Sequence, residues 1–209
     1  MARIIPEGWQ ELAVTGAAQR EIETLAQLAK TLPVTYTVYH GVHWTKVHQG
    51  HALVGEIDFA IVNPAGNLLL IEQKSGYLNE TPEGLAKQYA NKGKPVPVQM
   101  ARSADSLRNR LNAYCKDDKP HLASLLYCPD YTVKHPGTAG IDPARIIDAG
   151  RRDQLAQVIR NLLPDQDPAR PVADDVHCFL RDELKLVADV SALAGQARTL
   201  YTRLSGGLA

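Results

Sequence analysis

Asp58, Glu72 and Lys74 are the residues of this 209-residue chain whose types and spacing best suit chemistry. Glu72 and Lys74 stand two apart in LLLIEQK (68–74), so a strand through them directs both to one side. Asp58 lies in LVGEIDFAIV (53–62), where alternation sets Ile57, Phe59 and Ile61 on one face and Glu56, Asp58 and Ala60 on the other. Between the two segments, Asn63-Pro64-Ala65-Gly66-Asn67 is a strong turn signal and makes them an antiparallel hairpin. A register centred on Pro-Ala-Gly puts Glu56 and Asp58 opposite Glu72 and Lys74. Two carboxylates held that close repel each other unless a divalent cation sits between them, and oxygen ligands of this kind suit Mg²⁺ or Mn²⁺. Such an ion binds a phosphodiester oxygen and lowers the pKa of a bound water, while Lys74 orients that water or offsets charge in the transition state. Taken singly, an E-x-K at a strand end is usually solvated surface, and an Asp in a strand is commonly an edge feature. Their convergence across one turn is what points to a site.

The elements that must position these residues follow from periodicity. In residues 10–31, QELAVTGAAQREIETLAQLAKT, apolar positions from Ala18 through Ile22, Leu25 and Ala29 recur at helical spacing and continue to Leu32. This predicts a first helix ending at Pro33, and TYTVYHGVHW (35–44) is then the first strand. The hairpin supplies the next two strands. Residues 77–97 are polar and interrupted by Gly and Pro, and they read as a mostly irregular excursion with room for one helical turn. VQMARSADSLRNRLNAYC (98–115) aligns Met100, Ala104, Leu107, Leu111 and Tyr114 on the face of a second main helix, and HLASLLYCPDY (121–131) is a buried strand. The expected order over 10–131 is α-β-β-β-α-β. Residues 132–209 form a mostly helical extension, with helices near 151–163, 173–188 and 192–205, the first two separated by the Pro-rich PDQDPARP. The final YTRLSGGLA reads as an element cut midway, as in a piece of a longer chain.

Composition bounds the function. Hydrophobic residues are 44% and charged residues 22% of the chain, which suits one main globular domain rather than a disordered or membrane protein. Lys plus Arg and Asp plus Glu balance at 23 each, so a nucleic-acid footprint must be local. Cys115, Cys128 and Cys178 are odd in number and lack C-x-x-C spacing, which argues against a disulfide framework or a thiolate zinc site and fits the reducing cytoplasm. No apolar run approaches the roughly 20 residues needed to span a membrane.

GEIDFAIVNPAGNLLLIEQKSG followed by a Gln-bearing helix resembles the nuclease-related domain, NERD, a branch of the PD-(D/E)XK phosphodiesterases. The likeness covers roughly residues 15–130. It implies a restriction-endonuclease-like α/β core, a central mixed sheet flanked by helices, and a Mg²⁺- or Mn²⁺-dependent deoxyribonuclease acting on DNA. The motif's first acid falls on Asp58, and its second acid and lysine fall on Glu72 and Lys74. The family's helix-borne glutamate is best matched by Glu21, ahead of Glu23, and its glutamine by Gln99. On that footing Asp58, Glu72 and Glu21 are the expected metal ligands, with Lys74 and Gln99 completing the catalytic set. Glu21 and Gln99 each have a plain alternative, as polar residues on a helix. Gln73 departs from the pattern, since an apolar residue is more usual between the acid and the lysine. The end of the chain, TRLSGGLA, is similar to the linker into superfamily 1 helicase domains, which implies a helicase partner in the same full-length protein. No phosphate loop ending in Gly-Lys-Ser/Thr is present.

Other residues have weaker claims. Glu56 shares the face of Asp58, as a supporting acid or an edge charge. Lys87, Lys92 and Lys94, with Arg102, Arg108, Arg110 and Lys116 on the second main helix, could contact phosphates or simply be solvated, and Arg151 and Arg152 are a lesser pair. His40, His43, His48 and His51 lack a partner at zinc-ligand spacing, and alternation puts His40 and His43 on opposite faces. His43 or His48 could still approach DNA at the cleft edge. Two rivals to a nuclease stand: a DNA-binding or adaptor domain that has lost cleavage, and a protein-interaction domain, the latter favoured if Asp58 and Glu72 lie far apart.

Overall fold

The structure is a computed structural model that describes residues 1–11, 16–48, 51–89 and 92–182. Its elements run β1 (Arg3–Ile5), α1 (Ala17–Thr31), β2 (Thr37–His48), β3 (His51–Val62), β4 (Leu68–Gln73), β5 (Asn79–Thr81), β6 (Gly84–Tyr89), β7 (Lys92–Pro95), α2 (Val96–Tyr114), β8 (Leu122–Cys128), β9 (Ile146–Asp148), α3 (Leu155–Leu162) and α4 (172–182). The protein is an α/β fold with a mixed sheet of order β1-β2-β3-β4-β8-β9. β2, β3 and β4 are antiparallel neighbours, whereas β1 joins β2, β8 joins β4 and β9 joins β8 in parallel.

Helices cover both faces. On one, Leu25, Leu28, Ala29 and Leu32 of α1 pack with Leu155 and Ile159 of α3 over Phe59, Ile61, Leu69 and Ile71. On the other, Ala104, Leu107 and Leu111 of α2 and Val172, Val176, Phe179 and Leu180 of α4 cover Tyr39, Ala60, Leu68 and Leu70. The central strand β4 is buried along its whole length, which is why its first four residues read as unbroken apolar sequence. The turn before it is fixed by Asn63, whose Oδ1 accepts from Asn67 N–H at 2.9 Å and whose Nδ2 donates to the carbonyl of Pro164 at 2.8 Å. Gly66 in that turn has φ +77°, and a Cβ there would sit 2.7 Å from Cα of Ala173 at the start of α4.

The succession is longer than the expected α-β-β-β-α-β, because three-residue strands such as β1 and β9 leave no periodicity to read. Residues 77–97 are not the irregular excursion expected but mostly a second sheet, β5-β6-β7. Its Leu78 and Leu85 are fully buried against Val96, Met100, Leu126 and Tyr131, so two apolar anchors suffice to order a polar segment. Past residue 131, expected as a mostly helical extension, β9 adds to the main sheet and α3 and α4 pack on opposite faces. The expected helix at 192–205, the end of the one at 173–188 and TRLSGGLA lie outside the described residues.

One correction bears on the site. Strict alternation placed Ile57 with Phe59 and Ile61, but Ile57 packs on the α2 face with Ala60 and Val62, while Phe59 and Ile61 pack on the α1 face. The facing strand changes sides in the same place, since Tyr39 and Val42 both lie on the α2 face. Between those two residues stands Gly41, with φ +64°, a backbone state that glycine adopts at little cost. The pleat therefore inverts across Gly41 and Asp58, where the cleft opens.

Candidate active site

β3 and β4 pair in register from Val62–Leu68 to Phe59–Ile71, and one further step sets Asp58 across from Glu72. The ladder stops there, and Asp58 takes over the pairing: its Oδ2 accepts the backbone N–H of Gln73 at 2.6 Å. On the far side of β4 the N–H of Lys74 donates to the carbonyl of Tyr127 at 2.8 Å, so Glu72 and Lys74 are held by β8 as well as by β3.

Glu72 and Lys74 are both buried, at 5% and 7% exposure, and the Lys74 ammonium donates to Glu72 Oε1. Gln99, in the first turn of α2, donates from Nε2 to the same oxygen at 2.7 Å. Gln99, expected to complete the catalytic set, thus fixes the carboxylate of Glu72. Glu21 of α1 lines the same cleft, and its Oε2 is engaged by His40 Nε2 at 2.8 Å. The cleft, about 340 Å³, is bounded by Glu21, Glu56, Asp58, Glu72 and Gln99 together with Lys74, Lys87 and Lys94.

Burial pushes the Asp58 carboxyl well above the ordinary carboxylate range, and the charges of Glu72 and Glu21 push it further, against the pull of the Gln73 N–H and Lys74. Burial also raises Glu72, in spite of Lys74 beside it. These two acids therefore resist ionising together without added positive charge. Lys87 is shifted the opposite way, lowered by burial and by Lys74.

Among the described residues no group of three or more His, Cys, Asp or Glu side chains converges to hold a metal ion. Of the expected trio, Asp58 and Glu72 stand across the hairpin from each other, and Glu21 lines the same cleft while paired with His40. The remaining pair still fits Mg²⁺, which keeps several waters and takes one or two carboxylates plus substrate oxygens rather than a full protein cage.

Several neighbours escaped the sequence reading. Gln73, the odd residue of the motif, is buried and accepts from the Thr24 hydroxyl at 2.7 Å, tying β4 to α1. His40 and His43, expected on opposite faces, both pair with acids of this one cleft, His43 Nε2 lying 3.2 Å from Glu56 Oε1. The inverted pleat at Gly41 accounts for the difference. Glu23 is not at the cleft and pairs with Arg20 at 2.9 Å. Of the basic residues on α2, Arg108 is taken up by Asp105 at 2.6 Å. Arg151 is bound to the carbonyl of Ile146 at 3.0 Å, and Arg152 borders a separate groove behind α1. The side chains of Lys92, His48 and His51 lie outside the described ones.

The mixed α/β sheet thus ends in a cleft that gathers Asp58 and the Glu72-x-Lys74 pair. The chain belongs to the nuclease-related domain family, NERD, whose family model matches residues 16–129, more than half its length. Neither the curated proteins nor the solved structures searched contain a match.

Proposed function

We propose that this chain is a divalent-cation-dependent nuclease that hydrolyses DNA phosphodiester bonds on a restriction-endonuclease-like core of the PD-(D/E)XK kind. The observation that carries the reading is the pairing of Asp58 with Glu72 at the end of a broken ladder, each raised by burial and both sharing a cleft with Lys74. Asp58 and Glu72 would hold Mg²⁺ or Mn²⁺, and the bound ion supplies charge neutralisation and acidifies water next to the phosphate. The protein's own groups then divide the work. Gln99 and the Lys74 ammonium keep Glu72 in one orientation, and the Gln73 N–H does the same for Asp58. Lys74, held beside Glu72, is placed to offset the charge that grows on phosphoryl oxygens in the transition state. Glu21 stays on His40 and adds negative potential to the cleft, which strengthens cation capture.

The reading extends to work in the cytoplasm, beside a helicase reached through the C-terminal extension from residue 132 onward, in DNA repair or processing. Cleavage-deficient DNA binding is the second reading. It is favoured by the engagement of Glu72 with Lys74 and by the lack of a three-acid cluster among the described residues. Incubating supercoiled, linear and single-stranded DNA with Mg²⁺ or Mn²⁺ separates the two. The wild type is expected to cut, and Asp58→Ala and Lys74→Ala to bind without cutting. Metal-dependent cutting that survives both substitutions would sink the proposed site, and binding without cutting by the wild type would favour the second reading.

A further inference from the structure

The second sheet forms part of the wall of the cleft. Lys87 of β6 and Lys94 of β7 are direct cross-strand partners, so their side chains emerge on one face, and both line the cleft beside Lys74. Two lysines side by side in a cleft are suited to phosphate oxygens. The acids Glu21, Glu56 and Asp58 line the same cleft. A phosphodiester backbone can therefore run along the lysine wall with one phosphate facing the acids.

The rim of that wall carries an aromatic ring. Lys87 donates to the carbonyls of Ser75 and Tyr77, the latter at 3.1 Å, so the loop after Lys74 is fastened to β6. Gly76 N–H donates to Asp130 Oδ2 at 3.0 Å and fastens the loop on its other side. The Tyr77 side chain is nevertheless 68% exposed. Its ring meets Tyr131 edge-on, with centroids 5.3 Å apart at 83°, and Tyr131 is held in turn by a hydroxyl bond to Glu80 at 2.7 Å. An exposed ring with a fixed backbone and a braced edge, in a loop whose Ser75 lines the cleft, has the properties of a platform for a nucleobase.

From this arrangement we infer that the cleft takes a single-stranded DNA segment, with Lys87 and Lys94 on its phosphates and an unpaired base stacked on Tyr77. The inference rests on the nuclease reading of the cleft and names the form of its substrate. A duplex keeps its bases stacked inside and has no free face to offer Tyr77, so the platform favours a single strand, a flap or a frayed end.

The test is fluorescence anisotropy with a short labelled single strand and with its duplex. Ca²⁺ replaces Mg²⁺, and the oligonucleotide is checked as intact afterwards. Tyr77→Ala is expected to weaken single-strand binding by at least about fivefold and to leave the duplex unchanged, with Tyr77→Phe close to wild type. Lys94→Ala is expected to weaken both and to reduce the salt slope by about one counterion. If Tyr77→Ala affects neither form, or both equally, in a protein that binds and cuts DNA, the single-strand assignment is overturned and the nuclease reading stands. If the wild type binds neither form, the nuclease reading itself falls.

Discussion

Asp58 of β3 accepts the backbone N–H of Gln73 at 2.6 Å, which anchors the first acid to the peptide that separates Glu72 from Lys74. The bond replaces the next rung of the β3–β4 ladder, so the end of regular pairing and the positioning of the acid are one event. Any sequence change that shifts the hairpin register moves both acids together. This coupling makes the cleft a property of the hairpin rather than of separate surface residues.

The raised Asp58 carboxyl has a consequence for stability. The folded chain keeps this proton at pH values where the unfolded chain, with a carboxyl near the ordinary 3.8, has lost it. Stability from this group is therefore complete at low pH and is lost as pH rises through the folded value. Asp58→Asn keeps an acceptor for the Gln73 N–H and removes the charge. Denaturant unfolding without metal is expected to show the variant more stable than wild type at neutral pH, with the gap closing as pH falls toward the unfolded carboxyl's 3.8. A gap that widens on acidification would contradict the assignment.

Much of this geometry was legible in the sequence, and the reason is local. The Asn-Pro-Ala-Gly-Asn turn is a strong signal, and centring the register on it leads to the observed Phe59–Ile71 pairing and to Asp58 facing Glu72. α1, α2 and β8 follow from long stretches of clear periodicity. What failed were readings that assumed uninterrupted alternation. Gly41 permits an inversion of the pleat that a period-two pattern cannot express, and so Ile57 and the pair His40 and His43 were put on the wrong faces. The second sheet was missed because its strands are short and polar, and it is ordered by burial of Leu78 and Leu85, a tertiary effect. The bonds from Glu21 to His40 and from Gln73 to Thr24 join residues far apart in the chain, beyond the reach of spacing rules.

The Thr24–Gln73 bond is buried and links α1 to the strand that carries the motif. Thr24→Val preserves shape and leaves Gln73 Oε1 without its donor, so a loss of about 1–3 kcal/mol is expected by thermal or denaturant unfolding. Gln73→Leu in the Thr24→Val background should recover part of that loss. A double variant whose losses simply add would show that the two side chains do not interact.

Gln99 acts on the reaction through Glu72. With Gln99→Ala the carboxylate keeps Lys74 but loses its neutral donor, and metal affinity or cutting rate should fall about 10–100-fold, the usual range for groups that orient a ligand. Substrate KM should change little, because the amide is already committed to a carboxylate. A large rise in KM with an unchanged turnover rate would instead put Gln99 on the substrate.

Gly66 tests the packing of the hairpin turn against α4. Gly66→Ala adds a Cβ at 2.7 Å from the Ala173 Cα and also strains a φ of +77°. The backbone term alone is about 1–2 kcal/mol, and the clash with a helix backbone adds to it, so a clear fall in Tm is expected. An unchanged Tm would mean that α4 does not pack on this turn.

Mn²⁺ binding followed by electron paramagnetic resonance tests the central claim most directly, because it reports on the two acids without requiring turnover. Wild type is predicted to bind Mn²⁺ at neutral pH, and Asp58→Asn and Glu72→Gln each to abolish that binding while the circular dichroism spectrum stays unchanged. Undiminished Mn²⁺ binding by folded Asp58→Asn would contradict the account, since the two strands would then not be sharing one ion.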